Sequence, residues 1–398
     1  MNHIAPETCL QPDVKSHLAW IRHLVLTRFR NYEHLELSLD ARPVVLIGPN
    51  GAGKTNILEA ISLLAPGRGL RRARREQLVK TGHGQDHHPH PHPHPHPHHD
   101  NWLWAISSDV MTEFGQFKVG TGEEASDEMG HRAIRIDGVS ASQTALAERM
   151  AVSWLTPDMD AVLAAAPSDR RRFLDRLVVA FDPAHAGRLS RYDRAMRQRK
   201  RLLEDQAEEG WISAIEQEMA GTGVAIIAAR LAMVHALDLE ASTPIAGFPA
   251  AKLALLGEAE DWLAHMPAVD VEDRIMATAR QSRQAGQTTM PGPHNSVLEV
   301  RHSRTGNTAE ASSTGEQKAL VISVVLAHAR MQNQRLDRPP ILLLDDIASH
   351  LDAERRKALF DLTSELPGQV WFSGTDHVSF SPISREATMI RLDHGRIL

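Results

Sequence analysis

The chain carries one cysteine, Cys9, in 398 residues. That excludes an internal disulfide framework and any cysteine-rich zinc site, and it fits a reducing compartment. No apolar run approaches the roughly 20 residues of a membrane span, so no membrane association is expected. Nor does the N-terminus show a basic patch leading into an apolar core, and a cytoplasmic location is therefore expected. A general excess of positive charge is missing too. The formal net charge of −6 argues against a uniformly basic nucleic-acid binder and directs attention to local clusters. What is present is an ordinary apolar fraction, 42%, over a length sufficient for two or three domains.

One stretch organises the rest. Pro43-Val-Val-Leu-Ile47 reads as a buried strand, and Gly48-Pro-Asn-Gly-Ala-Gly-Lys-Thr55 after it is a complete G-x-x-x-x-G-K-[ST] pattern. Its glycines permit close backbone approach, so that successive N–H groups converge on phosphate oxygens at a helix N-terminus. Asn56-Ile-Leu-Glu-Ala-Ile-Ser-Leu-Leu64 supplies that helix with apolar residues at helical spacing. The expected nucleotide contacts are Gly48, Asn50, Gly51, Gly53, Lys54, Thr55 and Asn56, with Lys54 on the β/γ-phosphates and Thr55 on Mg²⁺. The bland alternative is a glycine-rich turn without a ligand.

Residues 1–20 lack periodicity and are expected to form a poorly ordered extension. From Ile21 to Arg30 and from His34 to Leu39 apolar and polar residues alternate, predicting two antiparallel strands joined at Asn31-Tyr32. Arg30 and Asn31 at that corner are candidates for a base or ribose contact, or simply a solvated turn. The segment 67–80 is the densest cation run, with Arg71, Arg72, Arg74 and Arg75, and is either a DNA contact or a solvated helix face. Residues 86–100 alternate histidine with proline and predict a flexible insertion with incidental metal affinity. Short alternating runs between Trp102 and Ile136 predict an antiparallel meander, completing an N-terminal part of a nucleotide-binding head over residues 21–166. Long helical patterns then predict a compact helical lobe over 167–290, without the sustained heptads of a coiled-coil arm. The head resumes over 291–398.

In that last part Ile341-Leu-Leu-Leu-Asp345 reads as a central parallel strand ending in paired carboxylates. A phosphate loop needs a carboxylate on the metal shell and a group to orient water. Asp345 is expected to hold Mg²⁺, and Asp346 to orient or deprotonate the attacking water, as catalytic residue together with Lys54. The bland reading of Asp345-Asp346 is a strand-end turn.

Ser313-Thr-Gly-Glu-Gln317 resembles the signature of ABC-type ATPases, and Ser349-His-Leu-Asp352 resembles their D-loop. More narrowly, the chain resembles the RecF family of bacterial recombination mediators. The likeness rests on Leu26-Thr-Arg-Phe-Arg-Asn-Tyr32, the phosphate loop, Ser168-Asp-Arg-Arg-Arg-Phe-Leu-Asp175, Gly292-Pro-His294, Ser313-Thr-Gly-Glu-Gln-Lys318 and Leu343-Leu-Asp-Asp346, which run in family order. It implies an α/β fold: an ABC-type P-loop ATPase head, with mixed sheet, flanking helices and β-meander, carrying an inserted α-helical lobe. It also implies an ATP-dependent homodimer in which Ser313 and Gly315 of one copy cap the ATP and Mg²⁺ held by the other. The implied partners are DNA at gaps or single/double-strand junctions, RecR and RecO, with RecA loaded as the outcome. Four features depart from the usual patterns: Asn295-Ser-Val297 stands where the family has Arg-Asp-Asp, Thr314 replaces a signature glycine, Leu155-Thr-Pro-Asp158 lacks the loop glutamine, and Thr375 with His377 occupies the switch-histidine region. Together they favour a weak ATPase used as a slow switch. The competing readings are an ATP-binding scaffold without turnover, a transporter ATPase subunit, which the long insertion disfavours, and an SMC-type structural head, which needs long coiled coils.

Overall fold

A computed structural model describes residues 19–80, 102–124, 132–245, 247–336, 339–348 and 351–398. The expected N-terminal extension up to residue 18 and the histidine–proline tract lie outside these. In chain order the elements are β1 (Ala19–Phe29), β2 (Tyr32–Ser38), β3 (Val44–Ile47), α1 (Lys54–Leu63), β4 (Trp102–Thr112), β5 (Gly115–Glu124), β6 (Ala133–Ile136), β7 (Val139–Ser140), α2 (Gln143–Arg149) and β8 (Val152–Leu155). The helices α3 (Pro167–Phe181), α4 (Ala184–Glu204) and α5 (Glu209–Ala241) follow, then β9 (Ala251–Leu256), α6 (Glu258–Leu263), α7 (Ala268–Gln284) and β10 (Val297–His302). The chain closes with α8 (Thr314–Leu336), β11 (Ile341–Leu344), α9 (Ala353–Ser364), β12 (Val370–Gly374), β13 (Thr388–Asp393) and β14 (Arg396–Ile397).

Two six-stranded sheets share one core. The alternating runs give an antiparallel sheet of order β2-β1-β4-β5-β6-β7, whose inward residues, including Leu24, Leu26, Phe29, Trp104 and Ile106, are buried. The continuous apolar runs β3, β11 and β12 instead form the middle of a second sheet of order β14-β13-β3-β12-β11-β8, where β13, β3, β12, β11 and β8 are parallel. Every residue of β3 and β11 is buried, as strands covered on both faces require. The phosphate loop leaves the carboxyl end of β3 and the Asp345-Asp346 pair leaves that of β11, with β12 between them. Side-by-side parallel strands thus carry residues 290 positions apart to one edge, where open α/β sheets hold ligands.

The segment expected to be wholly helical is not. Strand β9 pairs antiparallel with β10, from Ala251↔His302 to Leu256↔Val297, joining residues on both sides of the expected boundary at 290. Helices α4, α5, α6 and α7 enclose a second apolar cluster, with Tyr192, Met219, Ile227, Trp262, Val271 and Ile275. The expectation that no segment could span a membrane also needs correction. By length and composition α5 is such a helix, with an 18-residue window of mean hydropathy 1.6. The fold supplies another reason for that apolarity: Met219, Val224 and Ile227 enter the second cluster, while Met233, Val234, Leu237 and Ala241 enter the main core. A helix buried on different faces along its length reads as apolar all round.

A buried polar network pins these helices together. Asp175 on α3 accepts Arg230 of α5 in a two-pronged pair at 2.8 and 2.9 Å and lies 2.9 Å from His185 Nε2 of α4. Arg230 also donates to Pro293 O at 2.5 Å and to Ser296 Oγ, and the Ser296 hydroxyl donates to Glu260 of α6. Ser296 is fully buried. A carboxylate at that position would face Glu260 in a buried site, so the small neutral hydroxyl has a local reason.

His328 on α8 is buried, with Nε2 3.0 Å from Leu177 O and its ring edge-on to Phe181 at 5.3 Å. Burial pushes its imidazole down to about 4, against an ordinary value near 6.5. The unfolded chain therefore takes up a proton that the folded chain refuses, and stability should fall as pH drops from ~6.5 toward 4, by up to ~1.4 kcal/mol per pH unit. Urea midpoints measured across that range should show the slope, and His328→Gln should flatten it.

Candidate nucleotide-binding site

The loop at residues 48–55 is shaped by close approaches that only glycine allows. A Cβ on Gly48 would lie 2.1 Å from Leu392 O of β13, and one on Gly53 would lie 2.3 Å from the Tyr32 hydroxyl. Gly53 also holds φ at 108°, in the left-handed region, as N-cap of α1. Tyr32 is thereby packed against the loop; its hydroxyl has no partner among the described residues, and burial pushes the phenol up, so it stays neutral. Lys54 Nζ donates to Gly48 O at 2.6 Å and to Pro49 O at 3.0 Å, curling over the loop from the first turn of α1. Burial lowers its ammonium, and the charges of Asp346 and Asp345 oppose that shift.

The second half of the site meets the first directly. Thr55 Oγ1 donates to Asp345 Oδ1 at 3.1 Å, and Ser373 Oγ of β12 donates to the same oxygen at 2.6 Å. Burial pushes the Asp345 carboxyl up; hydrogen bonds from Ser373 and Thr55 oppose the rise, and the neighbouring Asp346 charge adds to it. Asp346 follows in a left-handed backbone conformation, φ 55°, with its N–H donating to Ser373 Oγ at 2.9 Å. A carboxylate short of compensating charge beside a threonine hydroxyl is a hard-oxygen pair that suits Mg²⁺. Among the described residues no three His, Cys, Asp or Glu gather, so the rest of such a shell falls to phosphate oxygens and water.

A polar rim extends from the loop. Asn56 Nδ2 donates to Asn31 Oδ1, and Arg71 Nη1 donates to Asn56 Oδ1, both at 2.7 Å. Glu59, buried on α1, takes Arg30 in a two-pronged pair at 2.8 and 2.6 Å, with Arg71 at 3.5 Å. Arg30 Nη1 also reaches Gln77 O at 2.7 Å. Arg30, a candidate for a base or ribose contact or a solvated turn, is engaged in fastening the β1–β2 corner to α1, and Asn31, Asn56 and Arg71 are the groups placed beside the loop.

The basic run is not the helix that one of its two readings required. Gly67 and Gly69 take left-handed φ values and the segment is irregular, apart from one short 3₁₀ turn at Arg75–Gln77. All of Arg68, Arg71, Arg72 and Arg74 are exposed, but Arg71 is bonded to Asn56 and Glu59 of α1, while Arg72 lies within electrostatic reach of Arg172 and Arg68. The Arg75 side chain falls outside the described residues.

Ser313 and Gly315 are exposed at the start of α8. Glu316 accepts from Ser313 N at 2.9 Å and from Ser313 Oγ at 3.0 Å, while Glu316 N lies 3.4 Å from that hydroxyl: a capping box. These bonds run within the turn and the neighbour of Gly315 is Arg355, so the phosphate loop and the signature are not joined to each other. Asp352 caps α9 by accepting from Arg355 N at 2.8 Å, while Ser349 and His350 lie outside the described residues. Thr375 and His377 are exposed just past β12, where Asp376 accepts from Ser379 N. Sequence reasoning missed Glu59, Ser373 and Tyr32. Glu59 had a signal, a lone carboxylate on the apolar face of α1; Ser373 had none, since only the strand order brings it to Asp345.

A family model described as RecF/RecN/SMC N terminal domain matches residues 20–373. The DNA replication and repair protein RecF of Rhizobium meliloti (strain 1021) is 42% identical over 388 residues, covering 96% of this chain and 99% of its own length. Among solved structures, the recombination mediator protein RecF of the RecFOR pathway with ATPrS aligns with a TM-score of 0.77 at 20% identity, and with ATP at 0.74 and 20%; each alignment covers 96% of this chain and 99% of the other. The architecture is therefore that of an ABC-type ATPase head.

Proposed function

This chain belongs to the RecF family, and from that premise we propose that it is an ATP-controlled, DNA-binding switch in recombinational repair and replication. The observation that carries the reading is the meeting of Thr55, Asp345 and Ser373 beside Lys54, while Ser313 stands exposed and is bonded, among the described residues, to Glu316 and Gln317 of its own helix. One half-site is assembled within the chain, and the other half is presented for a second copy. The solved relatives named with ATP and ATPrS support the nucleotide.

In this account Lys54 leaves the Gly48 and Pro49 carbonyls for the β/γ-phosphates, and the loop N–H groups and the N-terminus of α1 cradle them. Thr55 and Asp345 would hold Mg²⁺, which when bound neutralises phosphate charge and orients the γ-phosphate. Asp346 orients the attacking water and accepts its proton. Ser313 and Gly315 of a second copy close the site with the N-terminus of α8, so ATP drives a homodimer and hydrolysis releases it. The reaction is slow, as befits a timer. The assembly works in the cytoplasm on gapped DNA or single/double-strand junctions, with RecR and RecO, and helps load RecA.

The DNA reading is tested by salt dependence. Arg72→Glu and Arg74→Glu should each weaken duplex binding and lower the slope of log affinity against log salt by about 0.9 for each phosphate that the variant no longer neutralises. Arg71→Glu should disturb ATP affinity instead, because Arg71 is tied to Asn56 and Glu59. An unchanged slope in the first two variants would make the run a solvated surface.

A further inference from the structure

Arg355 lies on the signature turn. An ideal Cβ on Gly315 meets one neighbour, the Arg355 guanidinium at 3.8 Å. The backbone beneath that arginine is fixed twice. Asp352 caps α9 through Arg355 N, and Gly247, with φ 78°, brings the turn after α5 so close that a Cβ there would lie 2.6 Å from Ala358 Cβ and 3.8 Å from Arg355 Cα. The side chain is held more loosely. Its Nε is 3.8 Å from Asp352 Oδ2, beyond hydrogen-bond reach, and the side chain is 34% exposed. Arg356, the next residue, is directed elsewhere, within electrostatic reach of Asp376 past β12. Helix α9 therefore sends one cation to the signature and another toward the loop after the central strand.

We propose that Arg355 acts in trans, joining Ser313 and Gly315 to contact the γ-phosphate of the ATP held by the other copy. The inference rests on the dimer reading above. Lys54 supplies one cation to that phosphate from its own chain, while Ser313 and Gly315 offer a hydroxyl, N–H groups and a helix end but no positive charge, and the charge of the turn itself, Glu316, is negative. An arginine adds a planar fork that matches two phosphate oxygens, which a helix N-terminus alone does not offer. It also gives the closed state a reason to distinguish ATP from ADP, because the contact exists only while the γ-phosphate is present.

Arg355→Ala, and Arg355→Gln as the variant that keeps the aliphatic stem, should raise the ATP concentration needed for dimerisation about tenfold, the scale of one charge-assisted hydrogen bond. ADP affinity of the monomer should be unchanged, and Arg355→Lys should recover part of the loss. A purely structural role through the α9 cap would instead shift melting temperature without separating ATP from ADP. The decisive test mixes variants. Lys54→Met mixed with Arg355→Ala contains heterodimers with one intact composite site, so phosphate release should exceed the sum of the two proteins alone. Lys54→Met mixed with Ser313→Arg is the control for the dimer reading itself. Restoration in the control but not with Arg355→Ala would overturn the role of Arg355 alone. Restoration in neither mixture would overturn the dimer reading, and the Arg355 proposal with it.

Discussion

Lys54→Met should lower ATP affinity at least about 100-fold and abolish ATP-dependent pairing, while the fold persists. Two charge-assisted contacts to phosphate at ~1.5–3 kcal/mol each account for that scale. Methionine keeps most of the unbranched stem, and although the two ammonium bonds to Gly48 O and Pro49 O are lost, the close packing of Gly48 and Gly53 against Leu392 and Tyr32 still shapes the loop. Asp346→Asn should behave oppositely. It should leave ATP binding and pairing in place but slow phosphate release by about 100-fold or more, since the proposed proton acceptor is lost while the side chain keeps its size. Isothermal titration with ATP and a phosphate-release assay separate the two outcomes. If both variants release phosphate at the native rate, the site does not hydrolyse ATP, and the chain is a scaffold that only binds it.

The largest effect on stability should come from Arg230→Leu. It leaves Asp175 buried with His185 as its remaining side-chain partner among the described residues and removes the guanidinium donor of Pro293 O, to which the Ser296 hydroxyl lies 3.1 Å away. Removing one member of a buried pair costs ~3–5 kcal/mol. In the native chain burial pushes the Asp175 carboxyl up, but the bonds from His185 and Arg230 outweigh it and hold the group below the usual carboxylate range. Its charged form thus contributes stability that is present above pH ~4 and lost as pH falls through the lowered value. Without Arg230 the burial effect dominates, so the deficit of the variant should shrink between pH 7 and pH ~4 as Asp175 protonates. Asp175→Leu with Arg230→Leu should recover part of the loss, because no buried charge is then left alone. Urea unfolding of the native chain and the two variants at both pH values measures this; an Arg230→Leu loss under ~1 kcal/mol would show that the network does not hold the helices together.

Elements whose physics is local were legible in the sequence. β3 and β11 are short, continuously apolar and bounded by loop chemistry, and the phosphate loop lies between a strand and an amphipathic helix. Strand β9 was not legible: Ala251-Lys-Leu-Ala-Leu-Leu256 has no β-branched residue, and what makes it a strand is β10, more than forty residues on. Segment 67–80 misleads in the other direction, because its arginines are good helix formers while Gly67 and Gly69 break the helix. The roles of Arg30 and Ser373 depend on strand order and on Glu59, and Arg355 reaches Gly315 only through packing of α9 against the turn at Gly247. Signature residues Ser313 and Glu316 carry a second message that sequence alone could have shown, since Ser-x-x-Glu before an apolar run is also a helix start.

Each chain is proposed to carry half of a nucleotide site and to complete it on a second copy. Native mass spectrometry or light scattering of the wild-type chain, with ATP and Mg²⁺, then with ADP, and alongside Lys54→Met and Ser313→Arg, tests it most directly. The wild type should be a dimer with ATP and a monomer with ADP, and both variants should stay monomeric in ATP. A wild-type chain that binds ATP yet stays monomeric at every concentration, with and without gapped DNA, would contradict it.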